Sequence, residues 1–119
     1  MKVSYYKKRN NKEVVKDFIN KLQKKDKQKI FDCLDDIEGS DNLDKVKGAI
    51  FRQLKKKLWE IKIKTSGGGF RIFYVMLGSD LMVLLHAYKK QSQKAPQKEL
   101  DIATKRMNEI LDFFKQKTR

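Results

Sequence analysis

Residues 58–74 read LWEIKIKTSGGGFRIFY, and the reading of this stretch decides the fold. Leu58 to Lys64 alternate apolar and polar side chains, the period of a half-buried strand. Trp59, Ile61 and Ile63 fall on one face, and Glu60, Lys62 and Lys64 on the other. Thr65, Ser66 and Gly67 to Gly69 then read as a mobile loop with little to pack. Phe70 to Leu77 make a second strand, rich in aromatic and β-branched residues, with Arg71 as its only charge. A hairpin brings Lys62 and Lys64 near Arg71. Three cations without an evident carboxylate partner predict a place where phosphate sits.

The rest of the chain arranges itself around this hairpin. Downstream, Gly78-Ser79-Asp80 forms a short turn and Leu81 to Tyr88 a third strand, apolar on both faces. Lys89 to Ala95 are polar and basic, and Pro96 suits the first turn of a helix. Leu100, Ala103, Met107, Ile110, Leu111 and Phe114 mark the apolar stripe of that closing helix.

Upstream, Val3 to Tyr6 read as an opening strand and Lys12 to Lys24 as a helix. Asp26 is placed to cap a second helix that runs to Glu38 and stops at Gly39. Between Ser40 and Lys57, the residues Ala49, Ile50, Phe51 and Leu54 suggest a helical turn or a buried loop. The Lys55-Lys56-Lys57 run after it reads as a phosphate contact or as a solvated connection. The order is β-α-α-β-β-β-α. This is an α+β fold, a helical hairpin packed on a small, mainly antiparallel sheet, closed by a C-terminal helix. Residues 1–119 read as one domain, without linker or repeat.

Charge narrows the partners. The chain carries 29 basic and 15 acidic residues, a net charge of +14. That excess points first to nucleic acid. It is also segregated. Residues 52–94 hold ten basic residues and two acids, Glu60 and Asp80, whereas residues 32–44 hold six acids and no base. The acidic side of the helical hairpin is therefore not the face that meets RNA. The lone Cys33, set among those acids in an apolar helical pattern, reads as a small core residue rather than a nucleophile. No segment has the length of a signal peptide or membrane span, so the expectation is a cytoplasmic protein without membrane contact.

Most catalytic chemistries lack material here. One histidine, one cysteine and scattered acids give no ligand set with metal spacing, so neither metal nor cofactor is expected. Gly67-Gly68-Gly69 is no P-loop, since no Gly-Lys-Ser/Thr follows. His86 on the third strand shares a face with Met82, Leu84 and Tyr88 and reads as a packed or hydrogen-bonding histidine ahead of a catalytic one. What remains is a phosphoryl site built from cations. RNA is cut without metal when its 2′-OH attacks the adjacent phosphate. That reaction needs a proton acceptor, positive charge on the transition state and help for the leaving oxygen. In a lysine cluster, like-charge repulsion favours the neutral amine, the form that accepts a proton. Arginine keeps its charge and clamps phosphate oxygens.

A family resemblance supports this reading. LWEIKIK, then FRIFYVMLGSDLMVLLHAYKKQSQKAP, then a helix reaching KRM resembles the RelE/HigB group of bacterial toxins, in particular its HigB-like, phage-derived branch. That branch has an LWELR strand, a YRVFY strand, an LLHGF strand and a KKTQKTP segment in the same order. The likeness spans residues 54–106. It implies a RelE-like fold and a metal-independent endoribonuclease that cuts mRNA in the ribosomal A site and so inhibits translation. It also implies a cognate antitoxin, often a helix-turn-helix protein of the HigA type, through which alone operator DNA is reached. Carried onto matching positions, the catalytic residues are Lys62, Lys64 and Arg71, with Lys89 or Lys90 as the basic residue after the last strand, and Lys90 is the one assigned here. Lys62 or Lys64 is then the base, Arg71 steadies the transition state and Lys90 aids the leaving group. Lys55, Lys57, Lys89 and Lys94, with His86 and Tyr88, complete the candidate RNA-binding surface. The sequence departs from several relatives in lacking a tyrosine or histidine in its last helix, so the general acid is not assigned. Two other functions fit the same features: a gyrase-poisoning toxin of the same fold, and a non-catalytic RNA- or ribosome-binding module.

Overall fold

Five strands form one sheet in the computed structural model, which describes residues 1–92 and 94–117. In chain order the elements are β1 (Lys2–Tyr5), α1 (Val14–Asn20), α2 (Lys24–Glu38), β2 (Ala49–Gln53), β3 (Trp59–Thr65), β4 (Gly68–Leu77), β5 (Leu81–Lys89) and α3 (Gln97–Lys117). The sheet order is β1-β5-β4-β3-β2. β1 runs parallel to β5, and the other three pairings are antiparallel. The fold is thus α+β, with N-terminal helices, a mixed and mostly antiparallel sheet, and a C-terminal helix.

Alternation along the strands makes two cores, one on each side of the sheet. Ile61, Ile63, Phe70, Ile72, Tyr74, Met82 and Leu84 pack against Val15, Ile19, Ile30, Leu34 and Ile37 of α1 and α2. Leu58, Phe73, Val75, Val83 and Leu85 face the other way and pack against Ala103 and Met107 of α3. Cys33 lies in the first core, and burial pushes its thiol up to about 11, as befits a packing residue. The acids Asp32, Asp35, Asp36 and Glu38 lie on the exposed side of α2. Among the described residues no helix is long and apolar enough to cross a membrane.

Four expectations change. First, the stretch around Ile50 is neither a helical turn nor a buried loop but the edge strand β2, paired with β3 from Ala49↔Ile63 to Gln53↔Trp59. Only Ala49 and Phe51 turn toward the α1/α2 core, so its period-two signal is one residue pair long. Second, the mobile loop is a two-residue turn. Thr65 pairs with Gly68, leaving Ser66 and Gly67 at the bend, and Gly68 and Gly69 belong to β4. Third, Asp26 lies inside the first turn of α2 rather than capping it, and Gln23 holds the cap position. Its buried carboxylate accepts a hydrogen bond from the Gly67 N–H at 3.2 Å. The bond fastens the hairpin tip to α2. Fourth, the register of β4 against β5 slips between Phe73 and Tyr74. The slip turns His86 to the α3 side with Tyr88, away from Met82 and Leu84.

The Asp26 tether yields a prediction. A Cβ at Gly67 would overlap the Asp26 carboxylate. Gly67→Ala is therefore expected to cost about 1–3 kcal/mol, because the buried carboxylate must turn away and lose its donor. A lowered denaturation midpoint with unchanged m-value checks this.

Candidate functional site

α3 covers only part of its sheet face. The side chains it buries come from the Leu58, Phe73 and Val75 end of the hairpin. Toward the hairpin tip the same face carries Lys64, Lys62 and Arg71. Register fixes this arrangement, since Ile50, Lys62, Arg71 and Tyr88 stand opposite one another across four strands. Directly paired residues share a face, so the four form one row.

A cleft of about 530 Å³ opens over this end of the sheet, and among the described residues none of α3 lines it. Its walls include Lys62, Lys64, Arg71 and Lys90, the four catalytic candidates, together with Lys29 from α2. β3 supplies the first two and β4 the third. Lys90 follows β5 and is held in place by its N–H, which donates to the Gly69 carbonyl at 2.8 Å. A second cleft of about 390 Å³ is lined by Arg52, Lys55, Glu60, Arg71 and Lys94 among others. Arg71 lines both clefts. Lys57, Lys89 and His86 line neither. Lys57 and Lys89 are exposed, with the Lys89 side chain against Gly68 at the hairpin tip. Tyr88 is buried beside Arg71. Its hydroxyl is held above its ordinary pKa, first by burial and then by the negative charge of Glu60.

Arg71 differs from its sequence description. It is 5% exposed and has a carboxylate partner, with Nη1 donating to Oε1 of Glu60 at 3.0 Å. Glu60 is 1% exposed. The alternation of β3 put Glu60 on the polar face, and that face is buried here. Lys62 and Lys64 are different: among the described residues neither has a carboxylate within ion-pair distance. Lys62 is half-buried and Lys64 exposed. The cleft thus joins a fixed, partly neutralised guanidinium to two lysines without acidic partners. Such a set attracts an anion and offers it both a rigid and an adjustable cation.

His86 belongs to a separate network. Its Nε2 lies 3.2 Å from Oε2 of Glu99, and its Nδ1 lies 3.3 Å from Nη1 of Arg106. Arg106 also donates to the Leu85 carbonyl at 2.9 Å and stacks over Tyr6, whose hydroxyl donates to Glu109. These contacts fasten α3 to β5 and to the segment after β1. Sequence reasoning missed them because Glu99 and Arg106 lie on a helix whose orientation the apolar stripe does not fix. It also missed Ile50 and Arg52 as cleft residues, although alternation along β2 places them on the face of Lys62 and Glu60.

Burial holds the His86 ring below its ordinary pKa of 6.5, helped by Arg106 and opposed by Glu99. The folded state therefore prefers the neutral ring. Below 6.5 the unfolded chain binds the proton more readily, so stability falls as the pH drops through 6.5 toward the folded pKa. His86→Gln should flatten this part of the profile. Melting temperatures of both proteins between pH 7.5 and pH 5 (about one unit above the carboxylate range) test it.

An α+β sheet with one open, cation-lined end gives this basic chain a positively charged cleft. The chain belongs to the phage-derived Gp49-like family (DUF891), whose model matches residues 17–108. That family is part of the HigB/RelE superfamily of toxins. None of the curated proteins matches the chain.

Proposed function

We propose that this chain is the toxin of a type II toxin–antitoxin system and acts as a metal-independent, ribosome-dependent mRNA endoribonuclease, working as a single domain over residues 1–119. One observation carries the reading: Lys62, Lys64, Arg71 and Lys90 come from three separate segments and line one open cleft. Membership of the Gp49-like family supports it.

The chemistry follows from the residue types. A lysine amine, of Lys62 or Lys64, takes the proton of the ribose 2′-OH as its oxygen bonds to phosphorus. The extra negative charge on the phosphorane-like transition state falls among Lys62, Lys64 and Arg71. The P–O5′ bond breaks, and the departing oxygen takes a proton from Lys90. The products are a 2′,3′-cyclic phosphate and a 5′-hydroxyl. Lys55 and Lys94, with Arg52 in the neighbouring cleft, hold the flanking backbone. Phosphate contacts carry affinity but little sequence information, so the ribosome supplies the choice of site.

The partner is an antitoxin, for which a helix-turn-helix protein of the HigA type is the expected class. Exposed Phe113 and Phe114 sit in an apolar groove beside Lys7, Lys8 and Arg9, a surface a protein partner covers. The test of the function is primer extension on mRNA in translating ribosomes with EDTA-tolerant complexes. Cuts within A-site codons are expected. Growth arrest without cuts would move the reading to a protein target such as gyrase, and neither arrest nor cuts would leave a binding module.

A further inference from the structure

Ile50 is 64% exposed on β2, while Ala49 and Phe51 on either side of it turn toward the α1/α2 core. A single exposed isoleucine is ordinary on a protein surface. This one is set apart by its neighbours. It stands directly opposite Lys62, which stands opposite Arg71, so it extends the cationic row by one strand. It lines the same cleft as Lys62, Lys64, Arg71 and Lys90. β2 is the edge of the sheet, so among the described residues no further strand stands beyond the side chain.

The cleft is therefore two-sided. One flank carries the cations, and the other presents Ile50 with the turn backbone at Gly48 that leads into β2. Gly69 leaves its part of the cleft without a side chain, next to Lys90, whose Cδ a Cβ there would touch at 3.4 Å. Free phosphate has no use for an apolar flank. A nucleotide does, because its charge and its flat apolar ring are joined by a ribose. One strand spacing, about 5 Å, separates the row position of Lys62 from that of Ile50. That is the scale of the offset between a phosphate and its own base.

We infer that Ile50 forms a nucleobase subsite, on which the base next to the phosphate held by Lys62 and Arg71 packs its face. This rests on the phosphate-binding reading of the cleft and adds to it a specific contact with the ring. The contact is shape-based and tolerant of sequence, since every base has an apolar face.

The test uses fluorescence anisotropy with two labelled probes of equal length. One is a 2′-O-methyl oligonucleotide, which lacks the attacking hydroxyl. The other is its abasic counterpart, with the same sugar-phosphate chain. Ile50→Ala is expected to weaken the oligonucleotide about five- to tenfold, through lost apolar contact with the ring, and to leave the abasic probe unchanged. Ile50→Phe should retain or tighten binding of the first probe only. Equal losses on both probes, or no loss on either, would overturn the subsite. Lys62→Ala serves as the separate control and should weaken both probes. If it weakens neither while Ile50→Ala acts on the base alone, the phosphate reading falls, and the subsite placed next to that phosphate is overturned with it.

Discussion

Arg71→Ala is expected to abolish cleavage and, in the same protein, to lower stability by about 3–5 kcal/mol. The second effect comes from Glu60. With both partners almost fully enclosed and joined at 3.0 Å, removing the guanidinium leaves a buried carboxylate with no compensating charge. Against a total stability of about 5–15 kcal/mol, that loss is large. A simple alanine variant would thus confuse a folding defect with a catalytic one. The double variant Glu60→Leu with Arg71→Met removes both charges at similar volume. It is expected to recover most of the lost stability, because a buried ion pair replaced by apolar side chains is often neutral or better. It should still fail to cleave. Urea denaturation together with ribosomal cleavage separates the outcomes. Normal cleavage by the folded double variant would remove Arg71 from the chemistry. Wild-type stability in Arg71→Ala would show that the pair holds nothing together.

That pair also shows where sequence reading reached its limit. The alternation in Trp59–Lys64 and the apolar run Phe70–Leu77 made the central hairpin plain, and the apolar stripe from Leu100 to Phe114 made α3 plain. The register did not follow. Thr65 to Gly69 allow more than one bend, and moving the bend by one residue sends every side chain of the second strand to the opposite face. Only the Thr65↔Gly68 pairing puts Arg71 opposite Lys62 and diagonal to Glu60. The edge strand β2 was hidden for another reason. Its outward residue Ile50 is apolar, so Ala49-Ile50-Phe51 shows no alternation between inward and outward positions. The clustering of Lys62, Lys64 and Arg71 was legible because it depends on the hairpin alone. The closing of α3 over the rest of that face, which confines the cleft to the hairpin tip, depends on contacts far apart in the chain. The same holds for the slip between Phe73 and Tyr74, which sends His86 to Glu99 and Arg106.

Lys62→Ala is expected to reduce single-turnover cleavage about 10²- to 10⁴-fold, the range for removing a positioned general base or a transition-state cation. Unlike Arg71, it should leave the fold intact, since Lys62 has no ion-pair partner among the described residues and is only half-buried. Lys62→Arg then separates the two roles. Arginine restores the positive charge but does not release its proton near neutrality. If Lys62 is the base, the arginine variant stays as slow as alanine while its ribosome affinity returns. If Lys62 acts by charge, the arginine variant recovers the rate, and the proton passes to Lys64, the other lysine of β3 that lines the cleft. Lys64→Arg must in that case carry the larger loss. On the proposed reading, in which both lysines meet one phosphate, the alanine variants should also flatten the dependence of binding on salt by about one contact each. A rate within a few-fold of wild type in both Lys62→Ala and Lys64→Ala would remove both β3 lysines from the role of base.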